Sequence, residues 1–81
     1  MKFDEETMCK TFAARLEHVM ELRGYTVHRC SKKICVHPET FYKWLRGHNM
    51  PNSYYVVELA NLLKVSTDYL YGLREDMDYG E

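Results

Sequence analysis

The segment TVHRCSKKICVHPETFYKWLRG, residues 26–47, decides the fold of this chain. Residues 26–33 and 38–46 each have the spacing of a short amphipathic helix, and only about four residues separate them. Thr26 supplies a hydroxyl that can cap the first helix, and Pro38 suits a first helical position because it has no N–H to lose there. So tight a connection between two helices predicts a helix-turn-helix.

The apolar residues of this segment agree with two helices that pack together. Cys30 and Ile34 are expected to face inwards from the first helix, and Phe41 and Trp44 from the second. Ser31 is small where the two helices would approach closely. In such an arrangement the second helix is expected to lie in the major groove of DNA, with its N-terminal residues against base edges.

Helical spacing also governs the rest of the chain. Before the segment, apolar residues recur every three or four positions at Met8, Phe12, Leu16, Val19 and Met20. Asp4 or Thr7 can cap that helix, and Gly24 can end it. After the segment, Asn52 or Ser53 can cap a fourth helix, whose apolar face comprises Val56, Leu59, Ala60 and Leu63.

A last short helical turn completes the prediction. Ser66 can cap it and Gly72 can close it. No alternating pattern indicates a strand. The sequence therefore predicts a compact all-α, five-helix domain over residues 1–72, followed by an acidic tail, residues 73–81, that is expected to be frayed unless Met77 or Tyr79 docks.

Length and composition exclude several classes of protein. Eighty-one residues make one small domain, and 46% hydrophobic with 28% charged residues is too apolar for disorder. The longest apolar-looking stretch is far shorter than the ~20 residues of a membrane span, and the acidic start MKFDEET does not resemble a secretory signal. Three cysteines, an odd number, favour a reducing cytoplasm over a disulfide-stapled secreted domain.

The net charge of −1 hides an uneven distribution. Residues 23–48 contain six Lys or Arg residues against Glu39 alone, a net +5. Residues 1–6 carry a net −2 and residues 73–81 a net −3. A basic block in the middle of the chain is a candidate for contact with a polyanion, and a solvated surface is the alternative explanation.

Residues from about Phe12 to Gly72 resemble the lambda-repressor-like, Cro/CI-type (XRE family) DNA-binding domain. The resemblance is carried by RGYTVHRCSKKICVHPETFYKWLRGHNMPN and by the following VVELANLLKVSTDYLYG. It implies sequence-specific binding of double-stranded operator DNA by a transcriptional regulator, most simply a repressor. It implies no enzymatic activity and no cofactor.

The resemblance assigns two groups of site residues. The residues expected to face base edges are His37, Pro38, Glu39, Tyr42 and Lys43. The residues expected to hold the DNA backbone are Val27, His28, Arg29, Lys32, Arg46, His48 and Asn49. Lysine can donate to the acceptors of guanine, and a glutamate such as Glu39 can accept from the amino group of cytosine or simply stabilise the start of its helix.

The chain departs from the family pattern at several positions. Met20 and Leu45 stand where the family often pairs an arginine with a glutamate, so a packed contact is expected instead. Val27 replaces a glutamine that usually holds the backbone, and Cys35 replaces the glycine of the turn. If Cys35 needs a positive φ angle, it costs roughly 1 kcal/mol or more.

Alternative functions follow from the same residues. Glu39, the missing glutamine and the acidic tail would suit a protein-interaction or antitoxin-like module with weak or no DNA binding, or a unit controlled by a partner protein. The series His28, Cys30, Cys35 and His37 offers four zinc ligands by type, although His28 and Cys30 should point to different helix faces. A Cys/His nucleophile lacks an orienting third group.

The resemblance also implies a homodimer formed through the C-terminal region. Tyr69, Leu70 and Tyr71, with the tail, are the candidate dimer surface, and closure of the chain's own core is the alternative role for them.

Overall fold

The computed structural model describes residues 4–77. In that range five helices and no strand are present, which confirms the all-α, five-helix expectation. The helices are α1 (Glu5–Arg23), α2 (Val27–Lys33), α3 (Pro38–Leu45), α4 (Ser53–Leu63) and α5 (Thr67–Tyr71). None of these helices is both long and apolar enough to span a lipid bilayer.

Each helix begins at a side-chain cap. The caps and the backbone N–H groups that they accept from are Asp4 with Thr7, Thr26 with Arg29, His37 with Glu39, Asn52 with Tyr55 and Ser66 with Tyr69. Asp4 rather than Thr7 therefore caps α1, and Asn52 rather than Ser53 caps α4. The hydrogen bonds from Thr7 also hold the pKa of the Asp4 carboxyl below its usual value.

Helix α1 is the central element of the core. It packs against α3, α4 and α5, while α2 packs against α3 and α4 against α5. The apolar residues predicted to face inwards are buried, with no exposed surface at Phe12, Leu16, Val19, Phe41, Leu59 and Leu63. Met8 lies at the half-buried edge of this cluster.

Helix α5 closes the core of the domain. Tyr69 and Leu70 are buried, and Tyr71 is half-buried against the core. Core closure is therefore the role of Tyr69 and Leu70, and the prediction that these two side chains form a dimer surface is wrong because they already pack inside one chain. Gly72 ends α5 at φ 88°, and a Cβ there would lie 2.7 Å from the Thr11 methyl group.

The beginning of the tail is anchored to α1. The Arg15 guanidinium donates a 2.7 Å hydrogen bond to the carbonyl of Arg74, and Met77 packs against the core. Arg74 and Met77 thus hold the first part of the tail against the domain, and for Met77 this is the docked alternative. Tyr79 lies outside the described residues.

Candidate nucleic-acid interface

Four residues, 34–37, join α2 to α3 in a tight turn. The Val36 N–H donates to the Ser31 carbonyl at 2.9 Å and the Cys35 N–H to the Lys32 carbonyl at 3.3 Å. These two bonds form a Schellman ending, in which the residue after the helix cap takes a left-handed conformation. Cys35 occupies that position at φ 59°, so the expected positive φ is present without a glycine.

Small and apolar residues hold α2 against α3. Cys30 has no exposed surface, and burial raises the pKa of its thiol to about 11. Ser31 is also buried, and its hydroxyl donates a 3.2 Å hydrogen bond to the His28 carbonyl, so no polar group is left unsatisfied there. The predicted close approach at Ser31 is confirmed.

Aromatic contacts fix the inner face of α3. The rings of Phe41 and Trp44 are 5.4 Å apart, and Trp44 lies 5.6 Å from Tyr55 on α4. Phe41 and Trp44 are both buried, as predicted. Because these rings occupy the inner face, the orientation of α3 is set and its outer face is presented to solvent.

The outer face of α3 carries the residues predicted to meet base edges. All five of them are exposed: His37, Pro38, Glu39, Tyr42 and Lys43. The Nδ1 atom of His37 accepts the Glu39 N–H at 3.0 Å, so in the neutral ring Nε2 carries the proton and can donate outwards. Helix α3 and its N-cap thus present donors at His37, Tyr42 and Lys43 beside the carboxylate of Glu39, which can only accept when ionised.

The loop after α3 continues this surface. Arg46 caps the end of the helix, and its guanidinium lies 5.6 Å from the centre of the Tyr42 ring. His48 and Asn49 follow and are both exposed. The structure therefore brings the three predicted loop contacts to the C-terminal end of the α3 face.

A basic cleft of about 440 Å³ lies on the outer side of α2. Its lining residues are His28, Arg29, Lys32 and Lys33. His28, Arg29 and Lys32 were predicted to contact the DNA backbone. Lys33 was missed as a site residue, although it belongs to the basic block of the sequence. Side chains of one charge sign lining one cleft attract an anion such as a phosphate group.

Arg29 is held in place more firmly than its neighbours. Its guanidinium stacks 4.6 Å from the centre of the Tyr25 ring and donates a 3.4 Å hydrogen bond to the Gly24 carbonyl. These contacts tie the start of α2 to the end of α1. They also reduce the number of rotamers that Arg29 would have to give up on binding an anion.

A second concavity of about 240 Å³, here called the acidic groove, lies where α1, α2 and α3 meet. It is lined by Glu17, Met20, Glu21, Tyr25, Val27 and Leu45. Met20 and Leu45, which stand where the family often has an ion pair, both line it. Val27 is half-buried here, so the only group it can offer to a DNA backbone is its N–H.

The cysteine and histidine series does not assemble. His28 is exposed while Cys30 is buried, and Cys35 is exposed at the turn. Within residues 4–77, no three His, Cys, Asp or Glu side chains lie close enough together to hold a metal ion. These four side chains do not form a zinc site because His28 and Cys30 point to different faces of α2.

Comparison with known proteins agrees with this geometry. A family model described as helix-turn-helix matches residues 16–70, which span the C-terminal part of α1, all of α2, α3 and α4, and most of α5. No curated protein and no solved structure gives a significant match to the chain.

Proposed function

Since this chain belongs to the Cro/CI-type (XRE) helix-turn-helix family of DNA-binding regulators, we propose that it is a sequence-specific transcriptional repressor that inserts α3 into the major groove of operator DNA. The observation that carries the proposal is the exposed polar face of α3, which buried aromatic rings hold in one orientation, together with exposed cations on α2 and in the loop after α3. The activity is binding, without catalysis or a cofactor.

Base recognition is assigned to the outer face of α3. Lys43 can donate to the O6 and N7 atoms of guanine, and His37 can donate through Nε2. Both side chains are exposed, so neither has to break a buried contact to reach a base. Pro38 at the first helical position lies where its ring would meet a thymine methyl group.

Contacts with the DNA backbone are assigned to cations on α2 and in the loop after α3. Arg46 and the ring nitrogens of His48 follow α3, while Arg29, Lys32 and Lys33 come from the basic cleft. Each phosphate neutralised by a cation releases counterions, so log K should fall with log salt at a slope of about −0.9 per contact. The four Lys and Arg side chains, Arg29, Lys32, Lys33 and Arg46, would give a slope of about −4 per copy and about −7 for the dimer.

A homodimer on a palindromic site completes the proposal. Two copies would place their α3 helices about one turn of DNA apart, ~34 Å. Tyr69 and Leu70 are used inside each chain, so the dimer contact is assigned to Tyr71 and to the exposed Leu73 of the tail. Leu73 is 59% exposed and is therefore accessible to a second copy of the chain.

Selection of bound sites from a random duplex library tests this function. We expect an enriched palindrome with half-sites about 10 base pairs apart, and binding of that site that weakens steeply as salt is added. Absence of enrichment, or binding that does not respond to salt, would refute the proposal.

A protein-interaction module is the second candidate function. It is favoured by Glu39, whose carboxylate lies exposed on the α3 face and forms no salt bridge with any residue in the range 4–77. An unpaired carboxylate in that position repels phosphate. A chain that self-associates but ignores duplex DNA in the selection experiment would belong to this class.

A further inference from the structure

The acidic groove combines an apolar floor with an acidic rim. Met20, Val27 and Leu45 supply aliphatic side chains from three different helices, and Tyr25 adds an aromatic ring. Glu17 and Glu21 stand on the α1 side, one helical turn apart and both exposed. The groove is therefore apolar at its base and negative at its edge.

The carboxylates of Glu17 and Glu21 at the rim make no contact that stabilises the fold within the described residues. Within the described part of the chain, neither Glu17 nor Glu21 forms a salt bridge or accepts a side-chain hydrogen bond. By contrast, Glu6 at the start of the same helix pairs with Lys10 at 3.3 Å. Two glutamates at this spacing repel each other and destabilise an isolated helix slightly, so a cation bound between them would remove that repulsion.

The size and charge of the groove select its occupant. A volume of about 240 Å³ lies below the ~300 Å³ of the smallest typical small-molecule sites, so it suits one or two side chains rather than a cofactor. Lysine and arginine have apolar stems that lie along apolar surfaces and cationic heads that pair with carboxylates. DNA is an unsuitable occupant because the glutamates repel phosphate.

We propose that the acidic groove is the docking site for a segment of a partner protein that carries arginine or lysine next to apolar residues. The cationic head would pair with Glu17 and Glu21 while the stem and the neighbouring apolar residue cover Met20, Val27 and Leu45. This inference goes beyond DNA binding, and its test contains no DNA, so the two proposals fail independently.

An NMR titration of the full 81-residue chain tests it. The probe is the peptide acetyl-LRLRL-amide, and the matched control peptide is acetyl-LELEL-amide. We expect the arginine peptide to shift the methyl signals of Met20, Val27 and Leu45 and the amide signals around Tyr25. The control peptide should leave these signals unchanged, because its charges are repelled.

Variants complete the experiment. The double variant Glu17→Gln/Glu21→Gln should bind the arginine peptide about tenfold more weakly, since the charge-assisted contacts are lost. Glu5→Gln/Glu6→Gln removes the same charge from the other end of α1 and should bind it as tightly as the original chain.

Three outcomes would overturn the inference: no shift with the arginine peptide, equal shifts with both peptides, or equal affinity in the two double variants. Shifts of the same signals on raising the protein concentration without peptide would assign the groove to a second copy of this chain and would also overturn it.

Discussion

The guanidinium of Arg15 stacks 4.4 Å from the centre of the Tyr69 ring and donates a 3.2 Å hydrogen bond to the carbonyl of the same residue. A second hydrogen bond from Arg15 reaches the Arg74 carbonyl at 2.7 Å. One side chain of α1 thus holds both α5 and the start of the tail. It makes the C-terminal part of the chain a component of the core rather than an appendage.

Replacing Arg15 tests this role. Arg15→Ala removes the hydrogen bonds to the Tyr69 and Arg74 carbonyls, the cation–π contact and a 3.5 Å ion pair with the Glu75 carboxylate. We expect a loss of about 1–2 kcal/mol of unfolding free energy. For a domain of this size that lowers the Tm by roughly 5–15 °C. Thermal denaturation and the rate of proteolysis after Arg74 are the measurements.

Two controls separate the contacts of Arg15. Arg15→Lys keeps the charge but not the planar group, so its stability should fall between that of the original chain and Arg15→Ala. Glu75→Gln should change the unfolding free energy by less than about 0.5 kcal/mol, because the Glu75 side chain is 95% exposed. Equal stability of Arg15→Ala and the original chain would contradict the anchoring role.

Much of the fold could be predicted from local sequence. Helix caps such as Thr26 and Asn52 act within three residues, and the buried faces follow the helical period. The Arg15 contacts could not be predicted, because its side chain binds the carbonyl groups of residues 54 and 59 positions away. An arginine also does not contribute to the apolar periodicity that predicts which helix faces are buried.

The candidate site divides in the same way. Exposure of Lys43 and Tyr42 follows from the burial of Phe41 and Trp44 on the same helix. Lys33 lies one helical turn after Arg29 on α2, so spacing also places it beside the predicted contacts. The acidic groove is different, because residues from three helices and up to 28 positions apart enclose it, which spacing does not specify. The assignment of the residues on α2 and α3 to bases and phosphates stays a prediction.

Cys35 provides a test of backbone strain. It holds φ 59°, where a side chain costs roughly 1–2 kcal/mol and glycine does not, although glycine also loses about 0.5–1 kcal/mol of chain entropy on folding. We expect Cys35→Gly to raise the unfolding free energy by about 0.5–1 kcal/mol and Cys35→Val to lower it by 1 kcal/mol or more. Urea denaturation measures both, and a less stable glycine variant would contradict the strain argument.

The three thiols should differ in reactivity. Cys35 is exposed, whereas burial raises the pKa values of Cys9 and Cys30, the latter to about 11 from 9.0. At pH 8 only about one part in a thousand of Cys30 is thiolate, the form that reacts. Ellman's reagent should modify one thiol rapidly and the other two only after denaturation, and Cys35→Ala should abolish the rapid phase. Rapid modification of two thiols would contradict the burial of the core cysteines.

Lys43 and Arg46 should affect DNA binding differently. Lys43→Ala should remove discrimination at one base pair, a change of about 1–3 kcal/mol, while largely retaining affinity for mismatched sites. Arg46→Ala should weaken binding to all sequences and make the salt slope shallower by about one unit per copy, or about two units for the dimer. Fluorescence anisotropy on the selected site and on a scrambled duplex measures both effects.

Arg74→Ala provides the matched control for these variants, because Arg74 lies outside the candidate DNA interface. Since Arg74 follows the proposed dimer residue Leu73, the oligomeric state of the variant is measured as well. Its affinity for DNA should equal that of the original chain. If Lys43→Ala and Arg46→Ala both bind as tightly as this control, α3 is not the DNA-binding face.

Glu39 is the residue on which the assignment of the α3 face to DNA depends most. Its carboxylate lies in the first turn of α3, where a negative charge stabilises the helix dipole, and it is exposed on the side assigned to DNA. Glu39→Gln should therefore lower the unfolding free energy by about 0.3–1 kcal/mol and increase the affinity for every duplex, because repulsion of phosphate is removed. Glu58→Gln, a glutamate on α4, should not alter affinity. A loss of preference for cytosine at one position, instead of a uniform gain, would contradict the dipole role and show that Glu39 accepts a hydrogen bond from that base.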